Sequence, residues 1–177
     1  MNLPNKLTML RIILVPVFVV LFKLDCFYAA LIVFVAASLT DMLDGKIARA
    51  RNLITNFGKL MDPLADKVLV MSAMLCFVGT GLAPEWVVIV ILAREFLVTS
   101  LRLIAAGEGR VIAADMFGKC KTVAQMAWIV CGLLSIAAGL GAFAVLTQVL
   151  MWLSAALALL SGANYCIRNR DVFLNDM

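Results

Sequence analysis

Apolar stretches of crossing length follow one another along nearly the whole chain, and polar residues gather where those stretches begin and end. A helix needs about 20 apolar residues to cross a bilayer, and six segments of that kind are predicted. The first runs from about Leu7 to Phe22 and opens on polar Asn5, Thr8 and Arg11. The second runs from Phe27 to about Ala48 and carries two aspartates near its end. The third opens near Gly58 and reaches Gly79, with Asp62 and Asp66 in its first turns. The fourth, from about Glu85 to Ala105, contains Arg94, Glu95 and Arg102. Residues 122–160 carry no charge at all, too long for one crossing and right for two, broken near Gly139-Leu140-Gly141. The expected fold is therefore an all-α integral membrane protein, a six-transmembrane-helix bundle with short loops, forming a single membrane domain over residues 1–177.

Composition agrees. With 64% hydrophobic residues and a mean hydropathy of +1.06, the chain has more apolar surface than a soluble domain of 177 residues could bury. Lys6 and Arg11 ahead of an apolar stretch imitate a secretory leader. No small-residue cleavage site follows and a second apolar run starts almost at once, so an uncleaved first span is expected. With six spans, one set of connections carries Lys6, Arg11, Lys46, Arg49, Arg51, Lys59, Arg110, Lys119, Lys121, Arg168 and Arg170, and the opposite set only Lys23. Basic residues favour the cytoplasmic side. Both termini and the aspartate-bearing ends of spans two and three are expected there, at the cytoplasmic (inner) membrane. The five cysteines, Cys26, Cys76, Cys120, Cys131 and Cys166, have no C-x-x-C spacing and read as small buried hydrophobes. Trp86, Trp128 and Trp152 read as belt or core residues, and the ten methionines as lipid-facing or gap-filling side chains.

Chemistry concentrates in one place. Asp41, Asp44, Asp62 and Asp66 lie within a short part of an otherwise apolar chain, and an ionised side chain at membrane depth defaults to a functional site. Asp41 and Asp44 are spaced i,i+3 and Asp62 and Asp66 i,i+4, so each pair shares one helix face. Two such helices facing each other aim four carboxylates at one point, an arrangement that cations or protons make tolerable. The chain has no histidine, so a metal here is a hard, oxygen-ligated cation such as Mg²⁺ or Mn²⁺. Gly45 and Ala48 leave space beside the first pair and Gly58 beside the second. Pro63 falls in the first turns of the third span, where a missing N–H costs little. Arg49 and its basic loop add phosphate-pairing charge, and the combination suggests phosphoryl chemistry. The plainer alternatives are aspartates paired with Lys46, Arg49, Lys59 and Lys67, an Arg49 that only anchors the chain, and glycines that only permit tight packing.

The run Asp41-x-x-Asp44-Gly45-x-x-Ala48-Arg49, followed by Gly58-x-x-x-Asp62-x-x-x-Asp66, resembles the signature of the CDP-alcohol phosphatidyltransferase family at every fixed position. The resemblance implies a six-helix membrane bundle, usually a homodimer, that moves a phosphatidyl group from a CDP-linked lipid to an alcohol and releases CMP. It implies two divalent cations, Mg²⁺ or Mn²⁺, per active site. Asp41, Asp44 and Asp62 would hold one; Asp41 and Asp62 would share the second with Asp66, which would also be the general base. Asp44, Gly45, Ala48, Arg49 and Thr55 would border the CDP-diacylglycerol, as would Asn5, Thr8 and Arg11, which resemble the family's N-x-x-T-x-x-R segment.

Further stretches are similar to the phosphatidylglycerophosphate synthase branch of that family. They are Pro4-Asn5-Lys6-Leu7-Thr8, Asp62-Pro63-Leu64-Ala65-Asp66-Lys67, Ala93-Arg94-Glu95, Gly118-Lys119-x-Lys121-Thr122 and Arg170-Asp171-Val172-Phe173. The acceptor implied is sn-glycerol 3-phosphate, whose phosphate needs cations. Arg94 and Arg102, at i,i+8 on one face, with Arg110, Lys119, Lys121 and Lys67, would supply them. Membrane lipid is the other expected partner, and no nucleic acid is expected. Arg94 with Glu95 could instead be a structural ion pair, and Lys119 and Lys121 simple anchors. A sibling using inositol phosphate, serine or phosphatidylglycerol, a divalent-cation transporter, and an inactive scaffold are the rival functions. A transporter would place its carboxylates at mid-membrane and show an inverted repeat, which this sequence lacks.

Overall fold

The structure, a computed structural model, describes residues 3–50, 56–107, 109, 112, 116–139 and 141–170. Side chains are described throughout these except at residues 3, 4, 41–50, 56–60, 62 and 63. Six helices account for almost all of it: α1 (Leu3–Lys23), α2 (Phe27–Ala50), α3 (Asn56–Gly79), α4 (Glu85–Gly107), α5 (Met116–Ala138) and α6 (Gly141–Arg168). Tight turns join α1 to α2 and α3 to α4. Asp25 takes a left-handed φ of 58° between α1 and α2, and Gly81, at 75°, turns the chain between α3 and α4. There the Leu82 amide reaches back to the Phe77 carbonyl at 3.0 Å, closing the end of α3. α5 ends at the predicted glycine, Gly139, with φ 63°.

α5 lies along α6, α1 packs on α2 and α3, α4 packs on α6, and α2 touches α5. Phe18, Phe22, Phe34, Phe77 and Trp128 interlock at the centre, their rings 5.9–6.2 Å apart along the chain Phe34–Phe18–Phe22–Phe77–Trp128. Each such pair contributes about 0.5–1.5 kcal/mol beyond its burial. Small residues let the helices approach: a Cβ on Gly132 would lie 2.5 Å from the Phe77 ring.

The bundle is apolar on its outside, and several polar side chains are buried within its largely apolar core. Leu103, Ile167 and Val123 are 75%, 71% and 70% exposed, whereas Arg11, Thr8, Lys121 and Gln125 are all buried. Lipid tails are as apolar as these outer side chains, so such a protein is held together by close packing and interhelical polar contacts. Among the described residues the buried cations, Arg11 and Lys121, lie toward one end, while buried hydroxyls of Thr147, Ser154 and Ser161 run along α6. On α1 the buried face reads Asn5, Thr8, Arg11, then Val15, Phe18, Phe22. On α5 it reads Lys121, Ala124, Gln125, then Trp128, Ile129, Leu133. Lys23, Asp25 and Glu85 belong to the other end, where the Lys23 ammonium lies beside Gly79.

Among the described residues, three helical segments are long and apolar enough to cross a membrane: Asn5–Lys23, Met116–Ala138 and Gly141–Arg168. α2 is apolar over Phe27–Thr40, and α3 and α4 carry charges in their middles. The expectation of buried cysteines holds for Cys76 alone. Cys26 and Cys120 are exposed and Cys131 and Cys166 partly so, all with free thiols, because Cys26 lies in the turn between α1 and α2 and the others point away from the buried faces of their helices.

Candidate functional site

α3 turns Ala65, Leu69 and Ala73 inward and thereby sets the half-buried Asp66 and Lys67 along the edge of that face. Asp66 is the eleventh of the 24 residues of α3, about 15 Å along the helix at about 1.5 Å per residue. Two cavities meet at it. One is a groove of about 560 Å³, lined by Phe34, Val35 and Leu39 of α2 and Val123, Met126 and Val130 of α5, with Asp66 and Thr122 at its polar edge. The other, about 40 Å³, lies between α3, α4 and α5 and is lined by Asp66, Lys67, Val70, Met71, Met74, Glu95, Lys121, Thr122 and Gln125.

Behind the small cavity runs a chain of charged groups. Glu95 Oε1 accepts from Arg94 Nη1 at 2.9 Å and also from Lys121 Nζ. The ion pair between Arg94 and Glu95 is therefore present, and Glu95 draws Lys121 into it as well. Lys67 donates to Thr99, whose hydroxyl caps back onto the Glu95 carbonyl at 2.6 Å. Arg94 Nη2 donates to Ser161 of α6. Its guanidinium carbon lies 5.7 Å from the centre of the Tyr165 ring, and that of Arg102 lies 5.4 Å from the same ring. Arg102 Nη2 also donates to the Tyr165 hydroxyl at 2.5 Å. Cations over an aromatic face are attracted to it, so one buried tyrosine gathers both arginines. Two glycines make room: a Cβ on Gly118 would sit 3.3 Å from Arg94 Nη2, and one on Gly162 would sit 3.2 Å from Arg94 Cγ. Nε of both arginines is buried with no hydrogen-bond partner among the described residues. Among the described side chains here, four cations, Lys67, Arg94, Arg102 and Lys121, thus stand with two carboxylates, Asp66 and Glu95. That surplus is suited to an anion.

The expected residues divide as follows. Lys67 and Lys121 share the small cavity with Asp66, and Arg94 and Arg102 share Tyr165, as their common face predicted. Lys119 is exposed, two positions from Lys121 and off that face. Asn5, Thr8 and Arg11 are buried on α1, and each is engaged with a neighbour. Asp41, Asp44, Gly45, Ala48 and Arg49 lie on the last turns of α2, and Gly58, Asp62 and Pro63 at the start of α3, in helical backbone whose side chains are outside the described ones. Thr55, Arg51, Arg110 and Asp171-Val172-Phe173 are outside the described residues altogether. Among the described side chains no three carboxylates or thiols come together, and Asp66 is the one motif aspartate described among them.

Sequence reasoning missed Tyr165, Ser161 and Gln125. A signal for the first two was present. Thr147, Ser154 and Ser161 recur every seven residues in a helix that carries no charge before Arg168, and with Tyr165 they mark its buried face.

Residues 1–160 match the family model for CDP-alcohol phosphatidyltransferase. The chain is 49% identical over 140 residues to the CDP-diacylglycerol–glycerol-3-phosphate 3-phosphatidyltransferase of Bacillus subtilis, covering 71% of this chain and 72% of that protein. Proteins of the same description from Rickettsia typhi and Escherichia coli are 38% identical over 168 residues (93% and 94% covered) and 40% identical over 139 residues (72% and 76% covered). The motif aspartates, the cationic chain on α3 to α6 and these matches lead to one conclusion: the chain belongs to the CDP-alcohol phosphatidyltransferase family.

Proposed function

We propose that this protein transfers the phosphatidyl group of CDP-diacylglycerol to sn-glycerol 3-phosphate, giving phosphatidylglycerophosphate and CMP, the first committed step of phosphatidylglycerol synthesis. The observation that carries this reading is the position of Asp66 on the wall between an apolar groove and a polar, cation-backed cavity. A lipid chain suits the groove and a small water-soluble acceptor suits the cavity. The names of the relatives support the same pair of substrates.

In this reading the nucleotide-lipid is bordered by Asn5, Thr8, Arg11, Asp44, Gly45, Ala48, Arg49 and Thr55. The complete burial of Arg11, on the same α1 face as buried Asn5 and Thr8, supports a role beyond anchoring, because an arginine that only anchored the chain would reach the surface. The acceptor phosphate lies among Arg94, Arg102, Arg110, Lys119, Lys121 and Lys67. Asp66 takes the proton of the acceptor hydroxyl as its oxygen attacks the lipid-side phosphorus. The bond from that phosphorus to the CMP phosphate oxygen breaks, and CMP leaves with the electron pair, its new charge facing Arg49.

Four carboxylates on two helix faces, in a chain without histidine, form a donor set suited to hard cations. Asp41, Asp44, Asp62 and Asp66 would hold two Mg²⁺ or Mn²⁺. When bound, such ions neutralise the pyrophosphate and the charge that develops on the attacking and leaving oxygens. All six helices cross the bacterial inner membrane, with the site and both termini facing the cytoplasm, and two copies form a homodimer. The apolar exterior supports the crossing, and the charge asymmetry of the loops supports the orientation.

The test is CMP release by the purified protein in detergent with CDP-diacylglycerol, Mg²⁺ and a panel of acceptors. Release dependent on glycerol 3-phosphate is expected. Release only with inositol phosphate, serine or phosphatidylglycerol would keep the reaction class and overturn the acceptor. No release with any of them would overturn the reading.

A further inference from the structure

Gln125 stands one turn beyond Lys121 on α5, 3% exposed, and lines the small cavity together with Asp66, Lys67, Glu95 and Lys121. Its Nε2 makes no hydrogen bond among the described residues. Buried amide donors are almost always paired, so this one faces space intended for a partner. The cavity, about 40 Å³, exceeds the roughly 10–15 Å³ that one water requires and suits a small polar group.

The lining says which group. Lys121 is already joined to Glu95 and Lys67 to Thr99. Within the cavity the amide of Gln125 is therefore the donor left over for an uncharged oxygen. Val70, Met71 and Met74 form an apolar side, suited to a carbon skeleton. A neutral hydroxyl on a short carbon chain fits all of this, since its oxygen accepts from an amide N–H while its own proton remains available to a carboxylate. The surplus of cations lies further along, at Arg94 and Arg102 beside Tyr165.

We propose that Gln125 reads the second hydroxyl of the acceptor, which makes it a specificity-determining residue for polyol phosphates that carry a hydroxyl next to the attacking one. The inference rests on the acceptor class proposed above. With the terminal hydroxyl at Asp66 and the phosphate toward the arginines, the middle hydroxyl is left for Nε2 of Gln125.

The test pairs the removal of that hydroxyl with the removal of the amide. Purified protein in detergent is given CDP-diacylglycerol and Mg²⁺ with either sn-glycerol 3-phosphate or 3-hydroxypropyl phosphate, which keeps the terminal hydroxyl and the phosphate but lacks the middle hydroxyl. Wild type is expected to prefer glycerol 3-phosphate by about 10- to 100-fold in kcat/KM, the scale of one buried hydrogen bond left unmade. In Gln125→Met, of nearly equal volume, the loss should fall chiefly on glycerol 3-phosphate and bring the ratio toward one. Gln125→Asn, which retracts the amide by one methylene, should lower the ratio as well and serves if the methionine variant does not fold. Equal loss on both acceptors, an undiminished ratio in either folded variant, or a wild type that does not discriminate would overturn the role of Gln125. A wild type active on neither phosphate would instead overturn the acceptor reading beneath it.

Discussion

Arg94 makes more specific contacts than any other cation described near Asp66: a carboxylate and a serine on its nitrogens, a tyrosine under its plane, and a glycine on each of two neighbouring helices. A side chain held this firmly meets an anion already oriented, without the ordering cost of a free arginine. Arg94→Ala should therefore raise the KM for glycerol 3-phosphate by about 10- to 100-fold, the scale of a lost charge-assisted contact, with a much smaller change for the CDP-lipid. Steady-state kinetics with each substrate varied in turn checks this, and equal shifts would remove Arg94 from the acceptor pocket. Asp66→Asn keeps the shape of the side chain and removes its charge. It should abolish CMP release while the thermal unfolding midpoint stays near that of wild type, so retained turnover would refute the roles given to Asp66. Charged residues such as these were legible in the sequence because an ionised group is conspicuous in an apolar run. Gln125 and Tyr165 were not, because a neutral polar side chain has the same look whether it faces lipid or a cavity.

At the level of elements, the position of Gly132 against Phe77 explains how α5 comes close enough to α3 to close the small cavity. Gly132→Val should push the Phe77 ring and its neighbours Phe22 and Trp128 apart. Overpacking of this kind costs about 1–3 kcal/mol, a fall of roughly 3–10 °C in the unfolding midpoint for a chain of this size. Scanning fluorimetry in detergent would read it, and an unchanged midpoint would mean the ring moves aside freely. Hydropathy located all six helices but not their ends. α5 starts at Met116 and α6 runs to Arg168, well beyond the charge-free stretch from which both were inferred. Lys119, Lys121 and Arg168 ride on helices that outrun the apolar run itself. α1 likewise begins at Leu3, because Asn5, Thr8 and Arg11 occupy a buried face that hydropathy scores as a margin.

For the whole molecule, two exposed cysteines at opposite ends of the bundle give the orientation a direct test. Cys26, in the turn between α1 and α2, and Cys120, near the start of α5, are both exposed and belong to opposite ends. In variants that keep one of them as the sole cysteine, a membrane-impermeant maleimide applied to intact spheroplasts should label Cys26 and spare Cys120. Inverted vesicles should give the reverse, and labelling of both from one side would refute the proposed topology. This architecture was partly legible too. Loop charges indicated an orientation, but the inward turn of the polar residues on α1, α5 and α6 depends on helix neighbours that no local pattern names.

Asp66 and Thr122 belong to both cavities, so the same two side chains border an oily compartment and a more polar one. Water is itself the smallest hydroxyl compound, always present and chemically competent. The protein must therefore act as an insulator as much as a catalyst. The fidelity of such an enzyme lies less in how fast it joins its substrates than in how rarely this border leaks, since every leak destroys an activated lipid and yields nothing.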